Sequence, residues 1–233
     1  MLKVVSYNIH SGVGVDGKFS YRRIGRFLAS LDADIVCLQE MDLRAPEIDK
    51  AAQIQALKAG HFNEFIPSPA VVTKHGYYGN AILSRVKHLH VKSLDISVKN
   101  RQPRNIQEVL FQIDGKSLRI INTHKGLKQN ERMQQMKQLE AVVDVNLQQG
   151  NTPLLVTGDF NEWLYFSRAF RHINSKLKQH KMGATFPNRF PLFKLDRIWT
   201  SPGNIVQRAY VIKTPESRLY SDHFPVCAEL TLV

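Results

Sequence analysis

The chain predicts a mixed α/β domain, and three features of the sequence carry that expectation. Short apolar runs of strand length recur along it, and apolar residues at helical spacing lie between them. No internal repeat or low-complexity linker divides its 233 residues. With 43% hydrophobic residues such a chain can bury one large core, so residues 1–233 are expected to form a single domain.

The elements follow in order. Residues 4–10 are an apolar strand that places Asn8 near its end. The glycine-rich stretch 11–18 lacks the Gly-Lys-Ser/Thr ending of a phosphate-cradling loop and reads as a flexible loop beside a site. Residues 20–32 set Ile24, Phe27, Leu28 and Leu31 at helical spacing behind Ser20, a helix-capping residue. Residues 34–40 form a second strand, apolar until Gln39 and Glu40. A second helix, 48–59, carries Ile48, Ala51, Ala52, Ile54 and Leu57 and is ended by Gly60. Several strand patterns fill 80–113, with turn signals at 101–104 and at Asp114-Gly115. Residues 118–124 close on Asn122 and His124. The longest helix, 128–149, carries Met133, Met136, Leu139, Val142, Val143 and Leu147 on one face, the methionines as packing. Strands resume at 153, 194, 205 and 222.

What distinguishes the strands is how they end. The run Leu154-Leu155-Val156-Thr157-Gly158-Asp159-Phe160-Asn161 delivers a carboxylate and an amide two residues apart, on the same side if the backbone is extended. Such a pair can hold a water beside a charged oxygen, as phosphoester hydrolysis requires; it can equally close a strand as an Asx-turn. Asn8, Glu40, His124, Asp196 and the Asp222-His223 pair close or open other apolar runs in the same way. Each alone has a structural reading: a solvated strand end for Glu40, a surface pair with Arg197 for Asp196. Together they are hard to treat as coincidence.

Taken in order, Tyr7-Asn8, Leu38-Gln39-Glu40, the segment 79–85, Asn122-Thr123-His124, Gly158-Asp159-Phe160-Asn161, Leu195-Asp196-Arg197-Ile198 and the segment 221–226 resemble the motifs of the endonuclease/exonuclease/phosphatase superfamily, the deoxyribonuclease I-like metal-dependent phosphoesterases. The match runs from residue 7 to residue 226 and looks closest to short bacterial members. The resemblance implies an α+β four-layer sandwich, with two packed, mostly antiparallel sheets flanked by helices and the site at one end. It implies a divalent-metal-dependent phosphoesterase acting on a phosphodiester, a nuclease among the candidates. A phospholipid, sphingomyelinase-like or small phosphate-ester hydrolase is the alternative within enzymes, and an inactive basic nucleic-acid- or membrane-binding module the alternative outside them.

A phosphodiester is anionic, so its hydrolysis needs charge neutralisation, a positioned water and help for the leaving group. A hard cation with oxygen ligands suits the first task, and Mg²⁺ takes only one or two carboxylates. The resemblance assigns metal binding to Glu40, with Asn8 and Asp222 as direct or water-mediated partners, Mg²⁺ as the expected cofactor and Mn²⁺ as a substitute. It assigns Asp159 to orienting or deprotonating water and Asn161 to donating to the phosphoryl oxygen or the nucleophile. His223 would contact the phosphate, with Asp196 fixing its imidazole, and His124 corresponds to a second phosphate-contacting histidine. Asn80, which could equally be a turn residue, and Arg104, which could equally be a basic turn on a solvated face, are the phosphate-binding candidates.

A net charge of +12 favours an anionic partner: a phosphate-ester substrate, nucleic acid or an anionic membrane surface. Nothing implies an obligate protein partner. Cys37 and Cys227 lie in strand patterns and read as reduced core residues. No apolar run reaches a membrane span and no secretory signal is evident, so a soluble, cytoplasmic protein is expected. Substrate choice is expected from residues 163–194, where Trp163, Tyr165, Phe166, Phe170, Phe186, Phe190 and Phe193 interleave with basic residues. That composition could stack bases, rest on a membrane, or simply belong to a helix packed by its aromatic face.

Overall fold

The computed structural model describes residues 1–150, 152–164 and 167–232. The first half of the chain forms β1 (Leu2–Asn8), α1 (Tyr21–Ser30), β2 (Ile35–Asp42), α2 (Lys50–Lys58), β3 (Glu64–Val72), β4 (Tyr77–Ser84), β5 (His88–Asp95) and β6 (Asn105–Ile113). The second half forms β7 (Lys116–His124), α3 (Gln129–Gln148), β8 (Leu154–Asp159), α4 (Arg171–Lys176), β9 (Lys178–Gln179), β10 (Asp196–Ser201), β11 (Val206–Val211), α5 (Pro215–Tyr220) and β12 (Val226–Leu230). Ser20 caps α1 by accepting from the Arg23 amide, as its sequence position predicts. The second helix begins two residues later than its apolar pattern, because Asp49 caps it, and Ala59 rather than Gly60 takes the first left-handed position after it.

Two six-stranded sheets result, in the orders β11-β12-β1-β2-β4-β3 and β5-β6-β7-β8-β10-β9. Among the described residues only β1–β2 and β7–β8 pair in parallel; the other ladders are antiparallel. Three apolar layers hold the sheets and helices together. Val5, Tyr7, Val36 and Leu38 pack with Ile24, Phe27, Leu28 and Leu57 of α1 and α2. Val4, Ile35, Cys37 and Ile82 meet Val109, Leu118, Ile120 and Leu155 between the sheets. Ile121, Val156 and Trp199 pack with Met136, Leu139, Val143 and Ile173 of α3 and α4. The fold is therefore helix, sheet, sheet, helix: an α+β sandwich in which period-2 alternation sends each strand's side chains to one layer or the other.

The strand directions bring the polar strand ends together. β1, β2, β7 and β8 deliver their C-terminal ends to one end of the sandwich. β4, β6, β10 and β12 run the other way and begin there. Asp196 accordingly opens β10 instead of closing a strand, and Ser221-Asp222-His223 lie in the loop before β12, four residues earlier than the strand itself.

Several local expectations change. The stretch 11–18 is held: Gly14 N donates to Lys18 O at 3.1 Å, Gly17 N to Gly14 O at 2.9 Å, and Arg23 clamps Asp16 at 2.8 Å. Met133 is 49% exposed and leaves the buried face of α3 to Met136, Leu139 and Val143. Residues 163–194 form no single aromatic-faced helix but a short 3-10 turn, α4, β9 and irregular backbone; Tyr165 and Phe166 lie outside the described residues. Both cysteines are buried and unpaired.

Candidate active site

Alternation along the strands dictates which side chains line the gap between the sheets. On β1, Leu2 and Val4 face the second sheet, so Ser6 and Asn8 do as well. The same parity puts Gln39 of β2, Asn80 of β4, Asn105 of β6, Asn122 and His124 of β7, Asp159 of β8 and Asp196 of β10 on that inner face. Hydrogen bonds across the gap engage most of them: Gln39 Nε2 to Asn122 Oδ1 at 2.7 Å, Asn80 Nδ2 to Asn105 Oδ1 at 2.9 Å, and Asn8 Nδ2 to Asp159 Oδ2 at 3.0 Å, while Gln39 Oε1 and Asp196 Oδ1 are buried without a partner. The space between the sheets is thus apolar in one half and polar in the other, and buried polar groups of this kind are tolerated because they are paired.

Parity alone would send Glu40 to the helix side. A β-bulge between Leu38 and Met41, with Glu40 at φ 58°, turns its carboxylate inward instead. Glu40 Oε1 then accepts from Asn8 Nδ2 at 3.1 Å, so one amide bridges Glu40 and Asp159. A non-glycine residue in this left-handed region costs about 1–3 kcal/mol and concentrates at functional sites; Asn161, at φ 48°, is a second case beside it. Gly158 allows the two sheetmates to approach, since a Cβ there, at φ 141°, would collide with the Thr123 carbonyl.

Asp159 is the hub. Its Oδ2 lies 3.5 Å from His124 Nε2 and 3.7 Å from His223 Nε2. His124 Nε2 is 3.9 Å from Glu40 Oε1. These separations exceed hydrogen-bond length but are too short for an atom to lie between the groups, so they can share an oxygen only from one side. His223 Nδ1 is held by Asp196 Oδ2 at 2.9 Å, and Phe186 packs against its ring at 4.8 Å between centroids. Burial opposes charge on the His223 imidazole, but the carboxylates of Asp196 and Asp159 outweigh it and lift its pKa to about 10. Burial also pushes Asp159 up, to about 6. His124 is driven well below the usual histidine range, first by burial and then by Arg104 and His223, so it is neutral. The two histidines therefore differ in charge within one site.

Each predicted site residue can now be placed. Glu40, Asn8, Asp159, His124, Asn161, His223 and Asp196 converge. Asn161 Nδ2 donates to Lys125 O at 2.9 Å and to His124 Nε2 at 3.1 Å, so its amide hydrogens hold the neighbouring imidazole rather than reaching outward. Asp222 is half-buried beside Ser221 and adds to the negative field on His223. Asn80 sits within β4, not in a turn, and its amide is engaged by Asn105. Arg104 is 5% exposed, so it is no solvated turn residue. It donates to the Tyr78 hydroxyl at 3.3 Å and lines a narrow cleft with Asn80 and His124, its Nε without a partner.

Two features escape the motif reading. Lys125 is fully buried against Phe160, Phe170 and Met136, and burial lowers its pKa to about 7. A cavity of about 210 Å³ opens beside Asp196, lined by Trp163, His180, Phe193 and Lys194 among others.

Among the described residues one cluster has the spacing of a cation site, and Glu40 is a second candidate by its chemistry. Ligand atoms of Asp159, Asp196 and His223 lie within 4.8 Å of one another. In that cluster His223 Nδ1 is taken up by Asp196 at 2.9 Å, which leaves His223 Nε2 and Asp159 Oδ2 facing each other at 3.7 Å. Glu40, by contrast, presents a partly exposed carboxylate aimed inward by a strained backbone, with the Asn8 amide at 3.1 Å and the His124 Nε2 at 3.9 Å. A single accessible carboxylate fits Mg²⁺, which takes one or two carboxylates and keeps several waters.

Comparison with known proteins agrees with the geometry. The chain is 29% identical over 247 aligned residues to the uncharacterized protein YbhP of Escherichia coli, covering 99% of this chain and 96% of the relative. Its fold superposes on a mannosyl-6-phosphatase of Bacteroides thetaiotaomicron with a TM-score of 0.78 at 21% identity, both chains fully covered. It superposes on Danio rerio TDP2 complexed with a single-strand DNA product with a TM-score of 0.71 at 18% identity, over 97% of each chain. The model of the Endonuclease/Exonuclease/phosphatase family matches residues 5–223, and the chain belongs to that family.

Proposed function

We propose that the protein is a divalent-metal-dependent phosphoesterase that hydrolyses a phosphodiester, with residues 1–233 working as one domain. The observation that carries this reading is the cluster around Asp159: an ionisable carboxylate facing an imidazolium, His223, across a gap of 3.7 Å. Asp159 would take a proton from a water lying to one side of that gap, within reach of both groups. His223 Nε2–H would donate to a phosphoryl or leaving oxygen while Asp196 holds its Nδ1 proton in place. Arg104, behind the cleft that Asn80 and His124 line, adds positive charge toward a bound phosphate. Glu40, with Asn8 and Asp222 as direct or water-mediated partners, would hold Mg²⁺ or Mn²⁺, whose chemistry is to neutralise charge developing on the phosphoryl group.

An inactive binding module is disfavoured, because binding alone does not require two histidines held in opposite charge states. The mannosyl-6-phosphatase relative keeps a phosphate monoester in view as a second substrate class. The TDP2 relative and the net charge of +12 keep nucleic acid in view. Among the described residues no helix is long and apolar enough to cross a membrane, and two buried thiols suit a reducing compartment such as the cytoplasm. Hydrolysis of bis(p-nitrophenyl) phosphate with Mg²⁺ or Mn²⁺, abolished in Glu40→Ala and Asp159→Ala, is the expected result. A full panel of divalent metals giving no turnover of this diester or of p-nitrophenyl phosphate would refute the reading.

A further inference from the structure

The loops around the catalytic end carry exposed apolar side chains that neither the core nor the catalytic groups use. Val15 follows β1, Leu127 follows β7, Leu164 follows β8, Phe190 and Leu192 precede β10, and Leu219 precedes β12. Their exposures run from 41% for Leu219 to 69% for Phe190. They belong to one connected rim. Val15 N donates to Leu219 O at 3.0 Å. Asn188 Nδ2 donates to the carbonyls of Arg218, at 2.9 Å, and Ser221, tying the Phe190 loop to α5. Trp163 packs edgewise on Phe186 and Phe193, at 5.4 and 5.0 Å, which sets Leu164 beside that loop. Glu162 faces Arg132 at 3.7 Å, and Arg132 donates to Leu127 O.

Cations alternate with these tips. Lys18, Lys128, Arg189 and Arg218 are all exposed next to them. Of the acids on this rim, Asp16 is neutralised by Arg23, leaving Glu216 exposed. A single exposed leucine is ordinary. Apolar tips on successive loops, each beside a lysine or arginine and gathered at the mouth of the site, are a pattern. Single-stranded nucleic acid would be gripped by stacking on exposed aromatic faces, but five of these six tips are aliphatic, and Phe19 in the Val15 loop is held edge-on against Tyr21 at 5.0 Å. An anionic bilayer accepts both components, taking the apolar tips at the acyl boundary and the cations at the headgroup phosphates.

We propose that this rim docks the catalytic mouth onto an anionic lipid bilayer. The proposal deepens the phosphoesterase reading by naming a phosphoester presented at a lipid surface as the substrate class. It rests on that reading for turnover but not for binding.

The test is sedimentation of the full chain with vesicles of phosphatidylcholine, alone or containing about one-third phosphatidylglycerol. Binding is expected to the mixed vesicles, with Phe190→Ser/Leu192→Ser lowering the partition coefficient about tenfold. Leu89→Ser/Val91→Ser, at the opposite end on β5, should leave it within about twofold, the scatter expected of surface changes. Turnover of bis(p-nitrophenyl) phosphate by each variant checks that the site is intact. No preference for the anionic vesicles would overturn the proposal. So would binding that the rim variant leaves unchanged, or tighter binding of a single-stranded oligonucleotide weakened equally by that variant. Turnover without vesicle binding removes this proposal alone; vesicle binding without turnover of any phosphoester removes the phosphoesterase reading alone.

Discussion

The Nδ1 of His223 lies 2.9 Å from Oδ2 of Asp196, on the far side of the ring from the 3.7 Å gap to Asp159. One imidazole is therefore oriented by one carboxylate while it faces a second. That arrangement keeps its proton available at Nε2, where a phosphate oxygen would need it.

Removing the orienting partner should be costly without disturbing the fold. Asp196→Asn preserves shape but withdraws the charge, as in other histidine–carboxylate pairs where kcat falls by roughly 10² to 10⁴. The alkaline limb of the pH–rate profile should move down by one unit or more, because Asp196 is the largest contributor raising His223. A steady-state profile of wild type and variant checks both; an unchanged alkaline limb would show that His223 is not the group titrating there.

The wild-type profile should itself be bell-shaped. Asp159 must be ionised to accept a proton, so activity falls as pH drops through about 6. His223 must be protonated to donate one, so activity falls as pH rises through about 10. A bound cation favours the ionised carboxylate and shifts the acid limb further down. A profile that keeps rising below pH 5 would contradict the assignment of Asp159 as base.

Glu40→Gln should separate metal binding from folding. Neutralising a carboxylate ligand of a hard cation is expected to weaken Mg²⁺ or Mn²⁺ binding by tenfold or more. The fold should survive, because Glu40 is partly exposed and the bulge is a backbone feature. Isothermal calorimetry with Mn²⁺ and a thermal melt provide the two readouts. Equal metal affinity in wild type and variant would move the cation to other ligands.

Lys125 makes a prediction about stability. Its folded pKa, near 7, lies below the ordinary lysine value of 10.5 because the ammonium is buried. Between those values the unfolded chain binds the proton and the folded chain does not, so stability falls as pH drops from about 10.5 to about 7 and levels off below. Lys125→Met removes the penalty, worth about 1.4 kcal/mol per unit of displacement and a few kcal/mol in all. The variant should melt higher at pH 7 and show a flatter dependence of melting temperature on pH across that window. A lower melting temperature at pH 7 would mean that the contacts of Lys125 with Phe160, Phe170 and Met136 outweigh its desolvation.

Much of the site was legible because strands alternate. Asn8, Asn122, His124 and Asp159 occupy positions whose parity and apolar neighbours place them on an inner face, and their motifs name the chemistry. Glu40 was legible as a motif but not as geometry, since regular alternation would turn it away and only the bulge brings it in. Arg104 and Asn80 were ambiguous for a related reason: a short basic or amide segment looks alike whether solvent or a second sheet covers it. Lys125 carried no signal of burial, because a lysine after a strand end is ordinarily solvated, and it is the packing of α3 and α4 over β7 that encloses it. For the aromatic-basic segment 163–194 only the single-helix alternative fails, since its described residues form a 3-10 turn, α4, β9 and irregular backbone that one helical period does not describe.

The sequence by itself determined the alternation of strands and helices, the identity of the polar groups at the strand ends and the family to which the chain belongs. The tertiary structure decided which of those groups meet, which are charged and which are spent on one another. The reason is physical: pattern and propensity act over a few residues, whereas burial, ion pairing and hydrogen-bond competition depend on neighbours as far apart in sequence as Asn8 and Asp159.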